Sequence, residues 1–211
     1  MRKVLFWFAV LFVVFAYTAD YLGFDFEEQR EESRYYEACK CRYNYRSGGK
    51  KGATLPLRAP DLREERIFKK LEKLHGISDR GYILCATNKD IPNGFAGFAT
   101  RIDGRRYIVY DRKYATSSKE IYVVSLFGHE IGHQYLDHVY QPNKDYDYRQ
   151  EIEAEEFSGW SLFKWGYSHS TAVNSQSTSQ KATKTHPSGT VKRNAVSRGW
   201  KQAAAHEAKK R

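Results

Sequence analysis

The chain has 211 residues, which is enough for one domain with its own core and some appended segments. Its 35 Lys and Arg against 25 Asp and Glu give a net charge of +10, a balance that favours contact with nucleic acid or anionic membrane surfaces. The sequence contains no helix-turn-helix, zinc-finger or RNA-binding motif, so we expect no specific nucleic-acid partner.

The amino-terminal segment has the charge order of a leader. Met1-Arg2-Lys3 precedes an apolar run from Val4 to Tyr17, and acidic residues follow from Asp20 onward. This order predicts a signal peptide or signal anchor over residues 1–22. Large aromatic residues and a poor cleavage site favour an uncleaved anchor in the inner membrane, with the rest of the chain facing the periplasm. Secretion after cleavage and a buried amino-terminal helix are the alternatives.

The next segment, residues 23–60, is first acidic and then rich in Gly, Lys and Pro, which predicts a flexible tether. A domain is expected over residues 61–202. It begins with a helix from about Pro60 to Leu74, which Gly76 ends. The basic residues 203–211 are predicted to form a tail.

Three cysteines, Cys39, Cys41 and Cys85, cannot all pair within one chain. Cys39 and Cys41 are too close in sequence for an easy mutual bond. One of them could bridge to Cys85 and tie the tether to a predicted strand, Tyr82 to Thr87. Three free thiols are the alternative.

A hairpin is predicted after that strand. Asp103-Gly104 is a favourable type I′ turn pair, and the residues on both sides alternate between apolar and polar. If one of its strands lies at a sheet edge near an active site, an extended peptide could add to it by backbone pairing. A purely structural hairpin is equally compatible with the sequence.

Five residues in the second half of the chain, His129-Glu130-Ile131-Gly132-His133, form an HExxH motif. Residues four apart on a helix lie on one face, so both imidazoles can reach one ion at about 2.0 to 2.1 Å. Glu130 lies about 100° further round the helix, where its carboxylate can act as a general base on a water molecule. The motif predicts a zinc hydrolase, with a chance match on an ordinary amphipathic helix as the alternative.

The segment around the motif is predicted to be helical from about 118 to 139. Ser117 and Glu120 have the spacing of a capping box. A largely apolar stripe at helical spacing supports the same prediction, and it consists of Ile121, Val124, Phe127, Ile131 and Tyr135.

A catalytic zinc needs a third protein ligand. An acidic helix is predicted from Glu151 to Gly159. With this segment the chain resembles the gluzincins, and within them the HtpX-like peptidases, whose third ligand is the first Glu of an ExxAD motif. The resemblance implies that Glu151 is a zinc ligand and that Glu155, in place of the Asp, accepts the ring N–H of His129. Glu153 and Glu156 are expected on a solvated face.

Two further segments resemble the same family. Pro92-Asn93-Gly94-Phe95-Ala96 is similar to its strand segment beside the zinc, and Thr185-His186-Pro187-Ser188-Gly189 to its His-Pro loop. The resemblance implies that His186 and Arg193 border the site and stabilise an oxyanion, with Lys192 as the alternative to Arg193. The polar stretch 168–184 is expected to be a weak helix or a mobile loop over the site.

Together these features predict an α+β domain, zincin-like, with a small antiparallel sheet and two active-site helices. The expected function is that of a zinc metalloendopeptidase that acts on protein or peptide substrates at or outside the cytoplasmic membrane. An ImmA-like cytosolic peptidase, which also carries HExxH, is one alternative. A membrane-tethered zinc-binding module without turnover is the other.

Overall fold

The computed structural model describes residues 35, 37–47, 50–138, 147–176, 181–182 and 186–210. The chain divides into two compact units, Met1–Glu37 and Ala38–Arg211, and every element below belongs to the second. The predicted leader, residues 1–22, lies outside the described residues. None of the helices in the described part of the chain has the length and hydropathy of a transmembrane span.

Strands and helices occur in similar number in the described residues, so the fold is of the predicted α+β class. The strands are β1 (Arg42–Ser47), β2 (Lys50–Arg58), β3 (Ile83–Thr87), β4 (Gly97–Ile102) and β5 (Arg105–Asp111). The helices are α1 (Leu62–His75), α2 (Arg112–Ser117), α3 (Glu120–Tyr135), α4 (Tyr148–Trp165), α5 (His169–Asn174) and α6 (Gly189–Ala208).

The five strands form one sheet in the order β1-β2-β3-β5-β4. Neighbouring strands are antiparallel except β3 and β5, which run parallel with Cys85 opposite Val109. The prediction of a small antiparallel sheet with a hairpin is therefore confirmed in three of the four strand pairings, but the sheet has five strands and the β3–β5 pairing is parallel. The reason is that β5 lies between β3 and β4, so that β4 stands at the end of the sheet.

The β4–β5 hairpin is confirmed. Asp103 and Gly104, with φ of 49° and 77°, provide the two positive-φ positions that a type I′ turn requires. Gly97 pairs with Tyr110 at the far end of the hairpin, and Ile102 pairs with Arg105 beside the turn.

Residues 42–47 and 50–58 form strands, so the predicted flexible tether is wrong for these two segments. Leu55 and Leu57 are buried and alternate with exposed neighbours on β2. Leu57 is paired with Thr87 of β3, which adds the β1–β2 pair to the rest of the sheet. This long-range pairing stabilises strands that the local Gly, Lys and Pro content does not favour.

A disulfide joins Cys39, just before β1, to Cys85 in the middle of β3. Of the two possibilities left open by the sequence, the bridge to Cys85 is therefore confirmed, with Cys39 as its partner. Among the described residues Cys41 remains a free thiol.

Four helices pack against one another, and one of them, α3, also contacts the sheet. The predicted first helix is confirmed as α1, which ends at Gly76 in the left-handed conformation. Helix α3 contacts α1, α4 and the β4–β5 hairpin, and α4 contacts α6. Helix α6 continues to Ala208, and Ala203 is buried in it, so most of the predicted basic tail is helical instead.

Candidate metal centre

The HExxH motif lies on the second half of α3, as predicted. The helix begins at Glu120 after Lys119, however, and the capping box predicted with Ser117 is wrong. The Ser117 hydroxyl instead donates to the Lys113 carbonyl, because Ser117 ends the preceding helix α2. The Glu120 carboxylate accepts hydrogen bonds from the Trp165 indole at the end of α4 and from the Tyr167 hydroxyl just after it.

Helix α4 brings the acidic motif to the histidines. Its start is fixed by a capping box between Asp147 and Gln150, which places Glu151 in the first helical turn. Glu151 is 1% exposed and lies against the ring nitrogens of His129 and His133. The predicted acidic helix is thus confirmed, and it is longer than the segment from which it was predicted.

Small residues allow the helices to come this close. A Cβ on Gly132 would lie 2.8 Å from the Cβ of Phe157 on α4. On the other side of α4, a Cβ on Gly159 or Gly199 would overlap the backbone of the facing helix. The distance between α3 and α4 is therefore set by helix packing, and it places the two halves of the site together.

His129, His133 and Glu151 form a group that could hold a metal ion. The Nε2 atoms of the two histidines are 3.0 Å apart, and each lies 3.6 Å from a Glu151 carboxylate oxygen. Four ligands placed tetrahedrally about 2.0 Å from a zinc ion are about 3.3 Å from one another. The observed spacing fits such an ion.

The carboxylate of Glu151 gives a second reason to assign a cation to the group. Its Oε2 is buried and accepts no hydrogen bond from the described residues. Burial raises the pKa of this carboxyl group, because the charged form has lost its water. A divalent ion would compensate for that loss, so the residues present fit the ion that the motif predicts.

Glu130 lies next to the group without belonging to it. The side chain is 5% exposed and borders the same cavity as His129 and Glu151. Burial raises its pKa to about 7, against the opposing effects of His129 and of a hydrogen bond with the Ala99 backbone. A carboxylate with such a pKa is suited to take up and release a proton near neutral pH.

Glu155 reaches the outer side of His129, as the sequence predicts. Its Oε1 lies 3.4 Å from His129 Nδ1 and 3.2 Å from Lys192 Nζ. Burial alone would raise the pKa of Glu155, but the charge interactions and hydrogen bonds with His129 and Lys192 outweigh it and lower the pKa. The ionised carboxylate can therefore hold the ring of His129 with Nε2 directed at the group.

His186 is brought to the site, and Arg193 is not. His186 stacks on Phe95 with ring centroids 4.6 Å apart, and its Nε2 lies 3.6 Å from Glu151. Arg193 instead donates to Asn174 on α5 and does not border the cavity. Lys192 lines the cavity in its place, because position 192 faces α4 at the start of α6.

A cavity of about 280 Å³ opens over the cluster. Besides the acidic and imidazole groups it is lined by Gly97, at the start of the edge strand β4, and by side chains that the sequence did not single out. These are Tyr114, Tyr122, Ser125, Leu126 and Gln176. They come from α2, from α3 and from the segment after α5, and no local pattern in the sequence connects these three segments.

Two other glutamates of α4 face away from the cluster. Glu153 pairs with His138 and Arg149, and Glu156 pairs with Arg198. Both side chains are partly exposed, as expected for a solvated face, but each also forms an ion pair. Only Glu151 and Glu155 among the four therefore reach the histidine pair.

Helix α5, His169–Asn174, lies in the stretch predicted as a weak helix or loop over the site, and Ser175 and Gln176 after it border the cavity.

In comparison with known proteins, the chain matches no family model, no curated protein and no solved structure.

Proposed function

We propose that the chain is a zinc metalloendopeptidase of the gluzincin type with a zincin-like catalytic domain, related to the HtpX-like peptidases. The observation that carries the proposal is the joint placement of His129, His133 and Glu151 beside a buried Glu130 in one cavity. Zinc bound by the first three would polarise a peptide carbonyl and lower the pKa of a water molecule.

The protein side chains have distinct parts in the proposed hydrolysis. Glu130 takes a proton from the attacking water and passes it to the leaving amine. Glu155 keeps the ring of His129 in position through Nδ1. Lys192 and His186 border the cavity from the α6 side, where a cation or imidazole donor can stabilise the developing oxyanion.

The edge strand supports a peptide as substrate. Gly94 to Gly97 line the cavity directly before and at the start of β4. Strand β4 pairs with β5 on one side and stands last in the sheet order of the described strands. An extended substrate could add to the other side by backbone hydrogen bonds.

The disulfide supports action outside the cytosol. Cys39 and Cys85 are both fully buried and bridged, and such bonds form and persist in oxidising compartments. This favours the extracytoplasmic side of the membrane over the cytosolic setting of an ImmA-like peptidase. Protease added to intact spheroplasts should digest the domain. Protection within the soluble cytosolic fraction would restore that alternative.

The decisive experiment combines metal content with turnover. The purified full-length protein should contain one zinc per chain and cleave casein, and chelation should abolish cleavage until zinc is restored. Zinc without turnover on casein or a peptide library would indicate the alternative, a zinc-binding module. A protein that contains no zinc and cleaves neither casein nor a peptide library would contradict the proposal.

A further inference from the structure

Gln134 follows the second histidine of the motif directly and is completely buried. Its side-chain amide nitrogen donates to the Thr100 carbonyl at 2.9 Å and to the Tyr107 carbonyl at 2.8 Å. Thr100 and Tyr107 are paired across β4 and β5. One side chain of α3 is therefore attached to both strands of the hairpin at the same point.

The geometry of this attachment indicates a directional role. A buried amide loses its hydration, and hydrogen bonds within the protein must compensate for that loss. Both donors of Gln134 are used, whereas its Oε1 has no hydrogen-bond partner among the described residues. An apolar side chain of similar volume would not bury Oε1, but it would take the amide donors away from both carbonyls. What the amide adds is two hydrogen bonds of fixed direction to one pair of strand carbonyls.

Charged groups at the surface reinforce the same junction. Arg101 of β4 and Arg106 of β5 both pair with Asp137, just after α3, and Arg106 also donates to the Gln134 carbonyl. Asp137 has a left-handed φ of 59°, which turns the chain towards these two arginines. Exposed ion pairs contribute little on their own, so the buried amide is the main directional contact.

The strand held by Gln134 reaches the reacting groups. Ala99, the residue before Thr100, makes a backbone hydrogen bond with the Glu130 carboxylate. Gly97, two residues earlier, lines the cavity. A change in the distance between β4 and α3 at Thr100 would therefore move the strand relative to Glu130.

We propose that Gln134 is a positioning residue that sets the distance between the edge strand β4 and the general base Glu130. The proposal rests on the proposed peptidase function. Substrates long enough to pair along β4 depend on this distance, because their scissile bond is placed by the strand. Very short substrates do not pair along β4, and their placement is independent of it.

Gln134→Met tests this with little change in volume. The variant should lower kcat/KM about 10 to 100 fold for peptides long enough to pair along β4, and less than about twofold for a minimal peptide, since small displacements of a reacting group have effects of this size. Gln134→Glu, which lacks the amide donors, should behave in the same way. Ile67→Val, a buried substitution in α1 remote from the hairpin, is the control and should affect both peptides equally. Equal losses for long and short peptides in Gln134→Met would overturn the proposal.

A second measurement does not depend on activity. Amide hydrogen exchange of the full-length protein should become faster in β4 of Gln134→Met and stay slow in β3, because the β4–β5 hairpin loses its attachment to α3 through Gln134, whereas Gln134 makes no hydrogen bond to β3. Unchanged exchange in β4 would overturn the positioning role even if activity falls. A wild-type protein without peptidase activity would contradict the proposed function instead, and the exchange result would still decide whether Gln134 holds the strand.

Discussion

Glu155 Oε1 lies 3.4 Å from Nδ1 of His129, and Lys192 Nζ lies 3.2 Å from the same oxygen. A single carboxylate oxygen thus faces a candidate ligand on one side and, on the other, the one lysine among the described residues that line the cavity. Glu151, four residues earlier on α4, faces the histidines directly. The two glutamates are on one helical face but have different contacts, and their substitution should have different effects.

The first prediction separates three glutamates of α4 by their effect on metal binding. Glu151→Ala should lose zinc, because it removes one of the three candidate ligands. Glu155→Ala should weaken zinc binding about 10 to 100 fold by releasing the ring of His129. Glu153→Ala is the control, since its side chain pairs with His138 and Arg149. Zinc titration of the three proteins measures this. Tight binding by Glu151→Ala, or loss of zinc from Glu153→Ala, would show that the ligand is misassigned.

The second prediction concerns the general base. Glu130→Gln should abolish peptide hydrolysis and retain bound zinc, because the amide cannot take up a proton and position 130 is outside the ligand group. Zinc content and cleavage of a peptide library are measured on the same preparation. Full activity of this variant would exclude the proposed mechanism.

The third prediction compares two neighbouring cations on α6. Lys192→Met should lower kcat about 10 to 100 fold, because the ammonium group borders the cavity where negative charge develops. Arg193→Met is the matched control and should leave kcat within about twofold, since a loss of its bond to Asn174 does not reach the transition state. Steady-state kinetics with one peptide decide between the two. A larger loss of kcat in Arg193→Met than in Lys192→Met would show that Arg193 is the residue at the site.

The fourth prediction is a pH dependence of stability due to His75. Burial, assisted by Lys164, lowers the pKa of this histidine to about 4, while its Nε2 lies 2.9 Å from the Ser161 hydroxyl. The unfolded chain, with a histidine pKa of about 6.5, binds more protons between the two values. The contribution of neutral His75 is therefore complete above pH 6.5 and is lost progressively as the pH falls towards 4.

Urea unfolding at pH 7 and pH 5 measures this contribution. When the pH is lowered from 7 to 5, the unfolding free energy of the wild type should fall by about 2 kcal/mol more than that of His75→Gln. The comparison of differences removes the effect of other titrating groups. An identical loss in both proteins would show that His75 titrates normally in the folded state.

The fifth prediction concerns the disulfide. The bridge closes a loop with a sequence separation of 46 residues, and its removal should lower the unfolding free energy by about 3 to 4 kcal/mol through chain entropy. Cys85→Ser tests this by denaturant unfolding. Cys41→Ser, at the free cysteine, is the control and should change stability little. A small effect of Cys85→Ser would indicate that the buried contacts around β3 compensate for the bridge.

Local patterns were sufficient where the structure depends on neighbours in sequence. The Asp103-Gly104 turn and the end of α1 at Gly76 follow from backbone preferences of two or three residues. The HExxH spacing predicted a common helical face for His129 and His133, and the structure has it. These features require no knowledge of distant contacts.

Other features depend on contacts between distant segments and could not be predicted locally. Ser117 has the spacing of a helix start, but it ends α2, because the same hydroxyl can bond carbonyls behind it. The strand around Leu55 and Leu57 depends on pairing with β3. Lys192 and Arg193 are adjacent in sequence, and only the packing of α6 on α4 decides which of them faces the cavity.

Three glycines lie where α4 packs against α3 and α6, and their role could not be predicted from the sequence. Read along the chain, Gly132, Gly159 and Gly199 each weaken a helix by the loss of a side chain. In the fold Gly132 lets α3 approach Phe157 and Ala154 of α4, and Gly159 and Gly199 let the backbones of α4 and α6 approach each other. The three residues of the candidate group lie close together as a result. An ion bound at this site would stabilise the folded chain, by about 2.7 kcal/mol at a hundredfold excess over its Kd. The packing of these helices, and not the ion alone, would then determine the distances between the proposed ligands.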